Sequence, residues 1–543
     1  MVQPAKSRRT FLRTAAATAA TTAAAAAAMP VAAGLAACSA AAHSGADPAA
    51  QPDSRAPRHE VARPAGDRRK IPESMLPGDP RWDIRHLGAP DAIIGYAGLA
   101  SALPGQPVPL YVSTTARSFR VLAFRMGWYR GDLARLIWQS GSIRGRRQAR
   151  PARSHPTNTV TTDWARSLSV PTHDWPAGSY LLRLDAEDGG QRFVPLTIRT
   201  TDNEGKVVIK NSTATWQAYN MWGGYDLYNG PAGIADYDNR SLAVSLDRPF
   251  DLNGAFMFLA HERKLIQLAE KMQLPLGYAS SMDIAADAGL LRGASAVISG
   301  GHDEYWSPPE RANVTAARDA GVNVAFLGAN CMFRRTRLAA TRLGSNRLVI
   351  CYKTSWMQDP MYRHDNALVT SDWREPPHPD PESSITGTLY ESNPADAALV
   401  VVSPDSWLFR GTGVRHGARF PGLVGIEYDR VNPGFPVERP IEVLSHSPLT
   451  CRGIRSYGDS AYYTHRGGAG VFNAGTMRWV RSFSGDIGYG IDRRTGRFVR
   501  QVTANVLRAF ADGPAAEKYP ARDNLAHMHE WAGDPIGTQH NLW

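Results

Sequence analysis

The stretch that most constrains the fold of this chain is residues 295–330, where a helical pattern lies between two short apolar runs. SAVISGG and VNVAFLGAN are continuous apolar segments, as is typical of strands buried on both faces of a parallel sheet. Between them, Ser307 is the predicted N-cap, Glu310 completes an S-x-x-E capping box, and Gly321 is the helix stop. The segment therefore predicts a right-handed strand–helix–strand unit whose two strands are adjacent or nearly so.

The first turn of this unit carries five polar or aromatic residues in a row, HDEYW. Ligands bind outside the carboxyl ends of the strands in an open α/β sheet, so segments that leave parallel strands emerge at one edge. We therefore expect His302, Glu304 and Asn330 to meet there. The strand KVVIKNS would deliver TWQAYNMWGG (215–224) to the same edge, and its aromatics and glycines suit a pocket wall.

The rest of the chain shows two different patterns of apolar residues. From about residue 91 to 202, short runs with period-two alternation lie between Pro and Gly turns, which predicts a β-sandwich. After TTDNEG, continuous apolar runs alternate with helical spacing, which predicts a parallel sheet with helices. The expected fold class is thus α/β plus β-sandwich, with a sandwich domain at 86–203, an α/β domain at 204–514 and a C-terminal tail at 515–543.

The N-terminus predicts export. SRRTFLR is a twin-arginine signal, and the uncharged Ala/Thr stretch after it ends in Leu-Ala-Ala-Cys, which looks like a lipoprotein lipobox with Cys38 as the acylated residue. A plain cleaved signal with an incidental cysteine is the alternative. We assign 1–38 to this signal and 39–85, rich in Ala, Pro, Arg and Asp, to a disordered linker. The expected location is the cell envelope, lipid-anchored through Cys38 or periplasmic.

Charge, hydropathy and cysteine content exclude several classes of protein. The net charge of +11 lies partly in the signal and partly in 63–70 and 144–153, two runs without interleaved aromatics, so nucleic-acid binding is not expected. After the signal no stretch is apolar enough for a membrane helix. Cys331, Cys351 and Cys451 allow at most one disulfide, so burial must stabilise the fold.

Several separated motifs resemble one family. TWQAYNMWGG, GHDEYWS, ARDAGVNVAFLGAN, GLVGIEYDR and FRMGWYRG are similar to the large subunit of bacterial N,N-dimethylformamidase and its relatives, in a likeness running from about Ile94 to Phe510. The resemblance implies an Ig- or lectin-like sandwich followed by a domain similar to class I glutamine amidotransferases. It also implies a mononuclear ferric ion, held by two tyrosines and one glutamate, that hydrolyses a small amide.

The resemblance assigns metal ligands by motif. Glu304 in HDEYW matches the glutamate ligand, and Tyr219 in QAYN is the choice for one tyrosine. Tyr180 has about the right place in the chain for the second tyrosine, although it also reads as a core residue of a sandwich strand. Tyr225 and Tyr305 compete for the same role.

The remaining site residues follow from the same motifs. The resemblance implies that His302 and Asn330 bind substrate or orient water and that Glu427 in GIEYD moves protons. A trivalent hard cation prefers carboxylate and phenolate oxygens, so the ligand types agree with iron. A cysteine nucleophile would need a strand-to-helix elbow, and Cys331 lacks that context, so it is expected to be a buried thiol.

Two hypotheses from different classes stand. The first is an exported metal-dependent hydrolase of small amides. The second is a non-catalytic envelope lipoprotein that binds glycan or protein through its sandwich and carries a degenerate α/β domain, in which Glu304 would simply pair with Arg334 or Arg335. Both hypotheses allow a homo-oligomer.

Overall fold

The chain folds into a β-rich framework with a minority of helix. The computed structural model describes residues 71–528, apart from the side chains of residues 234 and 235, and these residues belong to one compact unit. The predicted export signal with Cys38, the linker up to residue 70 and the end of the C-terminal tail from residue 529 lie outside the described residues.

The N-terminal part is built from short strands that pair antiparallel, except that β2 pairs parallel with β11. A three-stranded sheet has the order β1-β3-β9, and a second sheet has the order β2-β11-β10-β4-β5 with β6 also pairing with β4. A hairpin of β7 and β8 lies apart from both. The strands are β1 Ile93–Ala97, β2 Ser101–Ala102, β3 Val108–Thr114, β4 Ser118–Met126, β5 Ala134–Gln139, β6 Ile143–Arg144, β7 Ala152–Ser154, β8 Thr159–Thr161, β9 Leu168–Val170, β10 Gly178–Ala186 and β11 Gln191–Ile198.

One apolar cluster lies between these two sheets. Val121 of β4, Leu182 of β10 and Leu196 of β11 face Ile93 of β1 and Leu110 of β3 in it. The period-two alternation seen in the sequence supplies these inward positions, because successive side chains of a strand point to opposite faces.

A mixed seven-stranded sheet carries the second part of the chain. Its order is β14-β12-β15-β17-β25-β24-β23, with β14 to β25 parallel and the last two strands antiparallel. The strands of this part are β12 Val207–Asn211, β13 Ala243–Ser245, β14 Leu276–Ser280, β15 Ala296–Ser299, β16 Tyr305–Trp306, β17 Asn323–Phe326, β18 Arg334–Arg335, β19 Arg337–Thr341, β20 Gly344–Ile350, β21 Leu389–Val400, β22 Arg419–Arg430, β23 Ile441–Cys451, β24 Ile454–Thr464 and β25 Gly470–Asn473.

The helices are mostly short. The last one is the longest of the described helices and packs on the mixed sheet through a fully buried row that includes Val499, Val502 and Val506. The α-helices are α1 Thr213–Ala218, α2 Phe256–His261, α3 Arg263–Lys271, α4 Ser281–Ala286, α5 Pro308–Asp319, α6 Ser383–Thr386, α7 Arg478–Arg481 and α8 Arg493–Ala511. No helix among the described residues has the length and apolar content needed to cross a membrane.

The strand–helix–strand unit predicted at 295–330 is present as β15, α5 and β17, and its two strands are parallel neighbours. Ser307 caps α5 by accepting a hydrogen bond from the Glu310 N–H at 3.4 Å. The predicted capping box is only half formed, however, because the Glu310 carboxylate points to Lys210, with Oε1 2.7 Å from Nζ. A buried lysine thus outcompetes the local backbone for this carboxylate.

The predicted disordered linker is too long at its C-terminal end. Residues 71–85 pack on the sheets: Trp82 is buried against Phe193, and Glu73 pairs with Arg135 at 2.8 Å. The aromatic side chain has enough apolar area to hold this segment in place, which an overall Ala/Pro/Arg composition does not reveal. The described part of the predicted tail also packs, with Tyr519 stacked on Trp407.

Contacts across residue 203 join the two parts of the chain. Arg125 of β4 and Glu270 of α3 form a buried ion pair at 2.6 Å, and the Tyr278 hydroxyl donates to the same Glu270 oxygen at 2.6 Å. One apolar cluster also runs from Phe124 and Phe193 into the helices and strands of the second part.

A buried lysine lies at the carboxyl end of β12. Lys210 Nζ donates to Asp303, lies 2.7 Å from Glu310 and sits 3.6 Å from the centre of the Trp306 ring. Burial alone would lower the pKa of Lys210, but the two carboxylates raise it above its ordinary value, so the ammonium stays charged. This network fixes the turn between β15 and α5 to the neighbouring strand.

We predict that Lys210→Met destabilises the fold by about 3–5 kcal/mol, because it leaves the buried Asp303 carboxylate without its cation. Lys206→Met is the matched control: Lys206 lies just before the same strand, its side chain donates to the Asp202 carbonyl and to no carboxylate, and the change should cost no more than about 1 kcal/mol. Chemical denaturation followed by circular dichroism measures both. A Lys210→Met protein as stable as the control would contradict the assigned role.

Candidate functional site

Three oxygen-bearing side chains converge beyond the carboxyl edge of the parallel strands. The Tyr219 hydroxyl donates to Glu304 Oε2 at 2.5 Å, and the Tyr228 hydroxyl lies 2.7 Å from Oε1 and 3.0 Å from Oε2 of the same carboxylate. The two hydroxyl oxygens are 3.1 Å apart, and their rings stack with centroids 4.8 Å apart. The side chains thus form a compact oxygen cluster, which we call the Glu304 cluster.

Helix α1 positions Tyr219. The chain leaves β12, turns into α1 and reaches Tyr219 as the residue that ends the helix. Buried Glu262 fixes this segment: its carboxylate accepts hydrogen bonds from Trp216 Nε1 at 2.7 Å, from the Ser212 N–H at 3.1 Å and from Asn211 Nδ2 at 2.7 Å. Glu262 belongs to the sequence HERK, and its role here is to hold the segment that carries Tyr219.

A polar turn positions Tyr228. Asp226 Oδ1 accepts the backbone N–H groups of Tyr228 and Asn229, each at 2.7 Å, as an aspartate does in an Asx-turn. Lys353 supports the same turn, because its Nζ donates to the Leu227 carbonyl at 2.8 Å and lies 3.0 Å from the centre of the Tyr228 ring.

The turn after β15 positions Glu304 with a cation beside it. The strand pair β16–β18 brings Arg334 next to this turn, where its N–H donates to the Glu304 carbonyl at 2.8 Å and its Nε to Oε1 at 3.1 Å. Burial raises the pKa of Glu304, but the charge of Arg334, with further contributions from nearby basic groups and the Tyr219 hydrogen bond, outweighs it and lowers the pKa below its ordinary value. Glu304 is therefore an ionised carboxylate in a closed environment.

His302 links this cluster to a second carboxylate. Its Nε2 lies 3.8 Å from Glu304 Oε2 and its Nδ1 lies 3.6 Å from Glu427 Oε2. Burial lowers the pKa of His302 despite the opposing charges of Glu304 and Asp303, so the neutral imidazole is favoured at neutral pH. Burial and the charge of Glu304 raise the pKa of Glu427 well above its ordinary value, so its protonated form is favoured.

Asn330 completes the arrangement at the end of β17. It adopts a left-handed backbone conformation with φ 58°, which asparagine tolerates better than most residues, and its N–H donates to Asp429 at 2.7 Å. Its Nδ2 donates to Glu427 Oε2 at 3.1 Å. Asn330 Oδ1 and His302 Nδ1 are buried without a hydrogen-bond partner among the described residues. Such atoms are costly unless a bound molecule satisfies them.

The donor set fits a hard metal ion. Two phenol oxygens and one carboxylate within hydrogen-bonding distance of each other are the ligands that a trivalent cation prefers, and such an ion would replace the protons that now join them. Within residues 71–528, no group of three or more His, Cys, Asp and Glu side chains could hold a metal. The Glu304 cluster is not a group of that kind, because two of its three oxygen donors are tyrosines.

The structure brings five of the predicted site residues together and leaves one elsewhere. The five that gather at this sheet edge are Tyr219, His302, Glu304, Asn330 and Glu427. Tyr180 is the correction: it lies in the core between the N-terminal sheets, stacked on Trp175, and its hydroxyl donates to the Pro176 carbonyl at 2.7 Å. The position of Tyr180 in the chain does not predict its place in the fold, because the register of β10 fixes the side chain in that core.

Of the two competing tyrosines, Tyr225 lies apart from the cluster and Tyr305 lies beside it. The Tyr225 hydroxyl accepts from exposed Arg153 at 2.5 Å. Tyr305 lies edge-on to Tyr219, and its buried hydroxyl interacts with Tyr228, so Tyr305 adjoins the Glu304 cluster while Tyr228 bonds the carboxylate directly. Sequence reasoning missed Tyr228. The available signal was the turn sequence DLYNG, in which an aspartate two residues before the tyrosine predicts a fixed turn close to Tyr219.

Cys331 is buried as a free thiol. Burial raises its pKa well above the ordinary value, with further contributions from nearby carboxylates, so the thiolate needed for nucleophilic attack is disfavoured. Cys351 and Cys451 are also free and buried.

Comparison with known proteins identifies one family. Residues 120–492 match the family described as N,N-dimethylformamidase beta subunit-like, C-terminal. No curated protein matches the chain. One solved structure with a local match is a Paenibacillus sp. cycloisomaltooligosaccharide glucanotransferase complexed with cycloisomaltoheptaose, at 13% identity and a TM-score of 0.14. That match covers 24% of this chain and 17% of the other, and a likeness this low carries no argument.

We predict a pH-dependent stability contribution from Glu262. Burial, the largest cause, raises its pKa from 4.5 to about 7, with a further increase from Asp303. A raised carboxyl pKa gives stability that is present below the unfolded-state pKa and lost as the pH rises through the folded-state value. The free energy of unfolding of the wild type relative to Glu262→Gln should therefore fall by about 3 kcal/mol between pH 4.5 and about 7. Denaturation across this pH range measures it, and a flat difference would refute the prediction.

Proposed function

Because the chain belongs to the N,N-dimethylformamidase beta subunit-like family, we propose that it hydrolyses the C–N bond of small linear amides at the Glu304 cluster. Family membership points to an amide hydrolase. The observation that carries the assignment of the site is the convergence of Tyr219 and Tyr228 on the buried carboxylate of Glu304, with His302 beside it.

The proposal includes one ferric ion. Glu304, Tyr219 and Tyr228 would hold it through oxygen, with Tyr228 in the role first expected of Tyr180. Bound there, the ion would supply Lewis acidity, which polarises an amide carbonyl and lowers the pKa of a bound water. Arg334 keeps Glu304 ionised and oriented for this purpose.

His302 and Asn330 are proposed to orient the substrate and the attacking water. The neutral imidazole has a nitrogen on each side, one towards Glu304 and one towards Glu427, so it can bond a water held between the two carboxyl groups. The unpartnered Oδ1 of Asn330 can accept a hydrogen bond from an amide N–H or from the water.

Glu427 is proposed to move the proton that hydrolysis requires. Water adds to the carbonyl carbon, the C–N bond breaks, and the departing amine must gain a proton. The protonated Glu427 carboxyl, held by Asn330 and adjacent to His302, can deliver that proton and then recover one from the attacking water. The products are a carboxylic acid and an amine.

The finer architecture and the location belong to the same proposal. We infer that the N-terminal sheets form an Ig- or lectin-like sandwich and that the mixed parallel sheet with its helices is an amidotransferase-like domain. The twin-arginine sequence and the Leu-Ala-Ala-Cys stretch support export, with anchoring of the envelope protein through acylated Cys38.

We predict that Tyr228→Phe removes iron and lowers amide hydrolysis by at least about 100-fold, because it deletes one oxygen donor while keeping the ring. Protein from an exporting host would be assayed for iron content, for the visible ferric-phenolate band and for amine release from a panel of formamides and other small amides. Tyr219→Phe and Glu304→Ala should have the same effect.

Tyr225→Phe is the matched control, since it removes a tyrosine hydroxyl from the same segment that bonds only Arg153. It should keep the band, the iron and the activity. Full iron binding in Glu304→Ala would refute the metal assignment. Wild-type protein that binds less than one iron after reconstitution and releases no amine would favour a non-catalytic envelope protein instead.

A further inference from the structure

A groove of about 1260 Å³ lies outside the Glu304 cluster and shares no lining residue with it. Helix α3, the segment 411–420 and helix α8 form its walls. Its charged lining residues are all basic: Arg263, Lys264, Lys271, Arg415, Arg494, Arg497, Arg500 and Arg508. We call this feature the basic groove.

Helix α8 supplies half of this charge, four of the eight basic residues. Arg494, Arg497 and Arg508 lie on the stripe of the helix that faces the groove, together with Gln501 and Ala504, at spacings of three or four residues. Like charges at such spacings repel each other and destabilise a helix. Helix α8 carries several arginines on one stripe, so their mutual repulsion destabilises it. An anion bound in the groove would relieve that repulsion.

Three of the arginines that α8 contributes are not held in ion pairs, although Asp492 is close enough to Arg494 to interact with it electrostatically. Within residues 71–528, Arg494, Arg497 and Arg500 form no ion pair, whereas Arg493, on another side of the same helix, pairs with Asp486 at 3.0 Å. Burial and the positive charge of Arg497 lower the pKa of Arg500 below its ordinary value. Arg494 and Arg497 are exposed and Arg500 is half-buried, so the groove presents this positive charge to the solvent, a condition that attracts anions.

Aromatic rings hold two of the cationic groups in place. The Arg494 guanidinium lies over the Phe420 ring at 4.9 Å, and Lys271 Nζ lies over the Trp128 ring at 4.5 Å. These cation–π contacts limit the side-chain freedom that would otherwise be lost on binding. The cationic heads are thus partly pre-organised.

We propose that the basic groove binds a ligand that carries two or more linked phosphate groups, clamped by Arg494, Arg497 and Arg500. Guanidinium groups match phosphate oxygens in paired hydrogen bonds, which makes arginine the preferred residue for this chemistry. The three arginines extend over about 9 Å of helix, farther than a single phosphate reaches. The ligand is either a soluble polyphosphate compound or a phospholipid headgroup that carries two phosphates.

The test uses the whole protein and sodium tripolyphosphate as the probe, titrated by calorimetry at low salt. The double variant Arg497→Gln/Arg500→Gln should bind at least about tenfold more weakly than the wild type, since each lost charge-assisted bond is worth about a factor of ten. Orthophosphate should bind more weakly than tripolyphosphate, because it cannot reach all three arginines.

The matched control is Arg144→Gln/Arg146→Gln, which removes the same charge at two exposed residues outside the groove. It should bind tripolyphosphate like the wild type. Equal weakening in both double variants, or no binding of tripolyphosphate by the wild type, would overturn the proposal, as would a preference for single-stranded DNA at equal phosphate concentration.

A second measurement identifies the source of the phosphate and separates this site from the Glu304 cluster. Loss of binding to cardiolipin/phosphatidylcholine vesicles in the groove variant alone would support a lipid headgroup, because cardiolipin carries two phosphates linked through glycerol. Tripolyphosphate binding without vesicle binding would support a soluble ligand. Amide hydrolysis by the groove variant should equal that of the wild type, so the two proposals can fail separately.

Discussion

Two adjacent buried carboxylates at one turn set the conditions for the whole site. Asp303 and Glu304 follow β15 side by side with no exposure to solvent, and an unpaired buried charge is strongly destabilising. The fold gives each its own cation from a different element: Lys210 of β12 for Asp303 and Arg334 of β18 for Glu304. Because Asp303 bonds Lys210 of the sheet, the Glu304 side chain points away from the sheet, towards Tyr219 and Tyr228.

The sequence was informative where a local pattern has only one structural solution. The apolar runs and helix cap of 295–330 required a parallel pair of strands, and the carboxyl edge of that pair brought His302, Glu304 and Asn330 together. It was less informative where a partner lies far away in the chain. Glu310 has the right spacing for a capping box but turns to Lys210, a hundred residues earlier, because burial makes that charge pair stronger than a local cap.

The choice of the second tyrosine shows the same limit. The place of Tyr180 in the chain suits a ligand, yet the register of β10 puts it in the apolar core between the N-terminal sheets, stacked on Trp175. Tyr228 is only nine residues from Tyr219, and side-chain bonds to the backbone of the intervening segment, from Asp226, Lys353 and Arg248, bring it back to its neighbour. Whether a short polar segment folds back or continues outward depends on such side-chain-to-backbone bonds, which have weak sequence signals.

The buried pair of Arg125 and Glu270 has a consequence for anyone who wishes to dissect the molecule. Arg125 precedes residue 203 in the chain and Glu270 follows it. Phe124 and Phe193 belong to the apolar cluster that joins the two parts around this pair. Cutting the chain at residue 203 would leave each fragment with an unpaired charge and a newly exposed apolar surface. The front sheets are therefore not a detachable module, and the protein is best expressed, mutated and crystallised in one piece.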